Sequence, residues 1–99
     1  MIYLVIAKDG TDPDAPARRQ EVREEHLERV QPAVDSGFVK LGGALLSGDG
    51  TMVGSAMLLE ADSEEEVRAF INKDVYTTGG VWQSYEVYPF KRAVGVSLE

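Results

Sequence analysis

The order of hydrophobic patterns along these 99 residues predicts a two-layer α+β fold with β-α-β-β-α-β connectivity. Apolar runs of strand length open and close the chain, and two segments between them switch to a helical period. A glycine-rich turn joins two further strand-like runs between those helices.

The first strand is Ile2 to Lys8, a continuous apolar run of the kind that is covered on both faces. Asp9-Gly10-Thr11-Asp12-Pro13-Asp14-Ala15-Pro16 is a connection built from turn formers. From Pro16 to about Ser36, Val22, His26, Val30 and Ala33 fall three or four apart, with Leu27 and Val34 beside them, so one stripe faces a core. Glu21, Glu24, Glu25, Glu28 and Arg29 take the other faces. Pro16 suits the first turn and Gly37 the stop. Pro32 removes a helical hydrogen bond and crowds the carbonyl of Glu28, which predicts a kink or an early last turn. Phe38 to Leu46 is a strand with an irregularity expected at Gly42-Gly43. Ser47-Gly48-Asp49-Gly50 turns the chain, and Thr51 to Glu60 returns it. Ser63-Glu64-Glu65-Glu66 is a capping box that opens a helix burying Val67, Phe70 and Ile71 as far as about Lys73. A loop from Asp74 to Gly80 leads to the last strand, Val81 to Phe90, where Pro89 predicts an edge or an exit from the sheet.

Right-handed crossovers then give the ferredoxin-like arrangement: a four-stranded antiparallel sheet with two helices on one face. Two helices cover one face only, yet the strands are apolar at both parities. Ile2, Leu4 and Ile6 oppose Tyr3, Val5 and Ala7, and Ala56 and Leu58 oppose Met57 and Leu59. The open face therefore calls for a homodimer, sheet against sheet. The chain length suits a single domain over 1–99, with 93–99 a flexible tail.

Composition excludes several function classes. Ten basic residues against 17 acidic give a net charge of −7, the wrong sign for displacing counterions from nucleic acid or for holding an anionic membrane surface. No apolar run approaches the roughly 20 residues of a membrane span. The apolar N-terminus lacks the basic start and small-residue cleavage site of a leader. Zero cysteines remove disulfides, thiolate metal sites and cysteine nucleophiles, and point to the cytoplasm. One histidine with scattered carboxylates does not make a transition-metal site, and no cofactor is expected.

The candidate chemistry centres on His26, the only histidine, on the buried stripe of the first helix. It is either a hydrogen-bonded core residue or a general base. Asp74, at the end of the second helix, could orient it, since a carboxylate on one imidazole nitrogen fixes the tautomer of the other. Alternatively Asp74 bonds local backbone. Arg19 and Arg23 lie near the same helical face and could bind a substrate carboxylate, although for Arg19 a surface ion pair is the expectation. Gly42-Gly43 reads as a β-bulge or as backbone opened towards a ligand. Tyr76 and Trp82 line a pocket or pack the core. No G-x-S-x-G surrounds Ser55, so it is not expected to be a nucleophile.

Taken together, Arg19-Gln20-Glu21-Val22-Arg23-Glu24-Glu25-His26-Leu27, Gly42-Gly43-Ala44, Gly54-Ser55, Lys73-Asp74-Val75-Tyr76, Gly80-Val81 and Pro89-Phe90-Lys91 resemble, in order, the YciI-like (YCII-related) family. The likeness runs from Met1 to about Val94. It implies a dimeric α+β barrel and places the family's proposed histidine–aspartate pair on His26 and Asp74. Arg23, Gly43, Ser55 and Tyr76 are then the substrate-binding residues. The implied function is a small-molecule enzyme, a cofactor-independent lyase, isomerase or hydrolase, using general acid–base chemistry on a small cyclic or aromatic-derived substrate. The alternative is a non-catalytic dimeric module that binds a small ligand. Two positions depart from the family pattern: Asp74-Val75, where Asp-Pro is usual, and Gly43-Ala44, where Gly-Pro is usual. Leu98-Glu99 fall outside the likeness and read as a cloning scar.

Overall fold

In the computed structural model, which describes residues 1–96, strands β1 (Ile2–Asp9), β2 (Val39–Leu46), β3 (Met52–Glu60) and β4 (Trp82–Phe90) form one sheet in the order β2-β3-β1-β4. Every neighbouring pair is antiparallel. Helices α1 (Ala15–Asp35), α2 (Glu64–Asn72) and α3 (Val75–Thr78) interrupt the strands in the ferredoxin-like sequence. The short α3 occupies part of the segment expected to be loop. Four residues are too few to show a period, and what starts the turn is a cap: Asp74 accepts from the backbone N–H of Tyr76 at 2.9 Å.

Alternation along β1 decides the layers. Tyr3, Val5, Ala7 and Asp9 are buried towards the helices, while Ile2, Leu4 and Ile6 are half-buried on the other side. Register carries both sets across the sheet. Gly42, Met57, Val5 and Val87 form one helix-facing row; Leu41, Leu58, Leu4 and Tyr88 form a row on the open face. The core between sheet and helices is Val5, Leu59, Val67, Ile71, Tyr76 and Val81, all at most 1% exposed.

Three local expectations are corrected. Of the two effects expected at Pro32, the early end does not occur: the helix continues for three more residues, ending at Asp35 with the Ser36 N–H on the Pro32 carbonyl. Gly37 then supplies the left-handed stop, φ 84°. Gly42 and Gly43 pair in regular register opposite Met57 and Ala56; the irregularities lie either side, at Val39/Leu41 and Leu45/Leu46. The capping box forms on its serine side only, with Ser63 Oγ accepting from Glu66 N–H at 3.2 Å. Pro89 does lie on an edge strand, β4. Of the expected tail, residues 93–96 lie beyond β4 in no helix or strand. The rest of the tail, and Leu98-Glu99, lie outside the described residues. Among those described, no helix is long and apolar enough to cross a membrane.

Candidate functional site

A cleft of about 390 Å³ opens between α1 and the β2–β3 side of the sheet. Its existence follows from residue size. The helix-facing positions of β2 after Val39 carry Gly42 and Ala44, opposite Met57 and Ser55, so α1 has little to pack on there. The stripe of α1 is accordingly only partly buried: Val22, Val30 and Ala33 touch the core, while Leu27 and Val34 remain 48% and 43% exposed.

His26 and Asp74 meet at this cleft although 48 residues separate them. The imidazole Nδ1–H donates to Asp74 Oδ1 at 2.7 Å; in the neutral ring this tautomer keeps the lone pair on Nε2. Asp74 is fully buried, whereas the His26 side chain keeps 12% of its surface at the cleft wall. Asp74 bonds local backbone as well as the histidine: the carboxylate oxygen that receives His26 also receives the Tyr76 N–H. The second oxygen takes Arg29 Nη1–H at 3.0 Å, while Arg29 Nη2–H reaches the Phe70 carbonyl at 3.1 Å and the guanidinium covers the Phe70 ring. Arg29 thus turns towards Asp74 rather than away from the core stripe. Its spacing of three from His26, which brings side chains together on a helix, is the signal that placed it here. The imidazole stacks on Tyr76, centroids 3.8 Å apart and 9° from parallel, with Trp82 edge-on at 5.6 Å.

Arg19 is not a surface residue. It is 5% exposed, and Nη1–H donates to both oxygens of buried Asp9 at 2.9 Å. Nη2–H donates to Ser55 Oγ at 2.9 Å, and the guanidinium lies 4.8 Å over the Tyr76 ring. By sequence Asp9 belongs to the turn-rich connection. The alternation Tyr3, Val5, Ala7, carried one step further, points it inwards. Ser55 Oγ also accepts from Trp82 Nε1–H at 3.1 Å. Two donors occupy its lone pairs, so the hydroxyl can only donate further, which disfavours a nucleophilic role. Burial raises the Tyr76 phenol above its ordinary value of 10, the leading influence on it, so the hydroxyl is protonated and a donor at neutral pH.

Of the expected binding residues, Arg23, Ser55 and Tyr76 line the same cleft as His26. Gly43 does so through backbone at the rim; its Cα pairs with Ala56 on the open-face side, and a Cβ there would meet nothing within 4 Å. The glycine that faces the cleft is Gly42, whose added Cβ would lie 3.4 Å from Met57 Cγ. Arg19 and Arg29 carry charges matched by Asp9 and Asp74, but Arg23 makes no ion pair among the described residues. The cleft is therefore locally cationic in an acidic protein. No group of three or more potential metal ligands occurs among the described residues.

Comparison with known proteins adds relatives. Residues 1–91 match the YCII-related domain family. The chain is 39% identical over 99 residues to the aspartate kinase FUB3 of Fusarium oxysporum f. sp. lycopersici; the match takes in 92% of this chain but only 18% of that protein's length. It is 38% identical over 97 residues to fusaric acid biosynthesis protein 2 of Gibberella fujikuroi, covering 90% of this chain and 91% of the relative. Among solved structures it is similar to the 5-chloro-2-hydroxyhydroquinone dehydrochlorinase TftG of Burkholderia phenoliruptrix AC1100, in complex with 2,5-dihydroxybenzoquinone. There the TM-score is 0.83 and the identity 28%, over 94% of this chain and 96% of that one.

Proposed function

The chain belongs to the YCII-related domain family, and from that premise we propose that it is a single-domain, cytoplasmic enzyme acting on a small cyclic or aromatic-derived molecule. The observation that carries this reading is the 2.7 Å bond from His26 Nδ1–H to buried Asp74 at the wall of a cleft large enough for such a ligand. With the tautomer fixed, Nε2 takes a proton from the bound substrate, and Asp74 stabilises the imidazolium that results. Arg29 holds the other carboxylate oxygen, so Asp74 cannot turn away. Arg23 and the Tyr76 hydroxyl, a cation and a neutral donor, bind the electron-rich oxygens of the substrate, with Ser55 and the Gly43 backbone beside them. Elimination and isomerisation begin with such a proton transfer, and in hydrolysis the same nitrogen takes the proton of the attacking water. The fold similarity to a dehydrochlorinase supports elimination among the three. The open face of the sheet pairs with a second copy of the chain in this reading, which fits its apolar rows.

The test is release of chloride from 5-chloro-2-hydroxyhydroquinone by the wild-type protein and by His26→Asn. General acid–base catalysis contributes about 10² to 10⁴ in rate, so turnover should fall by that factor while the circular dichroism spectrum is kept. Equal turnover in both proteins sinks the role of His26. Thermal stabilisation by 2,5-dihydroxybenzoquinone without any turnover would instead favour the non-catalytic binding module.

A further inference from the structure

The cleft is polar at one end and apolar at the other, and α1 sets the direction. Arg19 and Arg23 come from its first half and His26 from just past its middle, and beyond them follow Leu27, Val30, Gln31 and Val34. At about 1.5 Å per residue, Arg19 and Val34 stand roughly 22 Å apart along the helix axis. At the polar end Arg19 Nε is buried with no hydrogen-bond partner among the described residues, on a side chain 6% exposed. An unmet N–H of this kind costs free energy unless a ligand oxygen accepts from it. The Ser55 hydroxyl, with its lone pairs already engaged, has a proton to donate beside it. Opposite the stretch of α1 beyond His26 the sheet presents Val39 and Met57; no charged side chain lines this end, and its polar group on the helix is the neutral amide of Gln31. Size agrees with the division. A cavity of about 150 Å³ encloses a benzene ring, and this cleft, at 390 Å³, is more than twice that.

We propose that the ligand is amphipathic: an oxygenated ring held at Arg19, Ser55 and His26, bearing an apolar arm that lies along Leu27, Val30 and Val34. This rests on the small-molecule reading above and adds to it the chemical class of the substrate. The arm is a hydrocarbon substituent of several carbons, which an unsubstituted ring would leave as open, wettable cleft.

Calorimetric titration with 2,5-dihydroxybenzoquinone and its 3-methyl, 3-propyl and 3-pentyl derivatives tests the arm. Each buried methylene should tighten binding by about fourfold. Val34→Asp, at a half-exposed position, should flatten that dependence on chain length while the circular dichroism spectrum is kept. A series that is flat in the wild-type protein overturns the proposal, as does a gain that survives unchanged in Val34→Asp, or failure of every member to bind. Titrating the same series into His26→Asn separates the two readings. Chain-length gain in a variant that has lost turnover upholds both. Gain together with undiminished turnover overturns the general base and leaves the arm standing. A flat series with turnover lost overturns the arm alone.

Discussion

Arg19 shows how one side chain can join a strand, a helix and a cleft. Its guanidinium is held by Asp9 from the end of β1 and by Ser55 from β3. The pair is buried on both sides, 6% and 2% exposed. Desolvating two charges is costly, so the pair as a whole adds little to stability. Removing one partner is different, because the other is left as an uncompensated buried charge. Asp9→Ala should therefore lower unfolding free energy by about 3 to 5 kcal/mol, read from urea denaturation midpoints. A loss below about 1 kcal/mol would mean that water reaches Arg19. His26 and Asp74 could be named as candidates from residue type and element order. Arg29 and Asp9 could not be placed by type, since charged residues at helix flanks and turns are ordinarily solvated. What places them is geometry: helical spacing for one and strand parity for the other.

At the scale of elements, the strands and both long helices were legible because each has an apolar run or a period long enough to count. The positions of α1 and β2 relative to one another were not, because the gap between them comes from an absence of side chain. Gly42-Gly43 reads in sequence as a break in a strand; in the sheet it is a regular stretch whose inward glycine leaves room. Gly42→Val tests that account. A β-branched residue suits a strand, and the nearest atom it meets is the flexible Met57 side chain. The variant should unfold at or above the wild-type temperature while binding of the 3-pentyl derivative of 2,5-dihydroxybenzoquinone weakens at least about tenfold through the lost volume. Unchanged binding would place the ligand elsewhere. The helix α3 escaped sequence reading for a related reason, since a single capped turn carries no pattern of its own.

At the scale of the whole molecule, the sheet has two apolar faces and the helices cover one. Leu41 and Tyr88, at the ends of the open row, are 59% and 46% exposed, and Leu58 and Leu4 lie between them. A contiguous apolar surface of this kind ordinarily marks an interface. In the homodimer proposed above, Leu58→Lys would bring two like charges into the dry centre of the contact, a cost of several kcal/mol. Sedimentation velocity should then find a monomer where the wild-type chain sediments as a dimer. A wild-type monomer, or a dimer that tolerates the lysine, would exclude this face as the contact.

Because successive residues of β1 serve opposite sides of the sheet, two separate demands are interleaved on a single stretch of chain. Tyr3, Val5, Ala7 and Asp9 answer to the helices and the cleft, and Ile2, Leu4 and Ile6 to whatever meets the open face. Point substitutions can then revise one demand without touching the other, so the chemistry and the partnering of such a chain are free to diverge at different speeds. Loss or gain of a single residue within β1 has no such freedom, since it exchanges every inside position for an outside one. This strand should be permissive to spelling changes and intolerant of any change in its letter count.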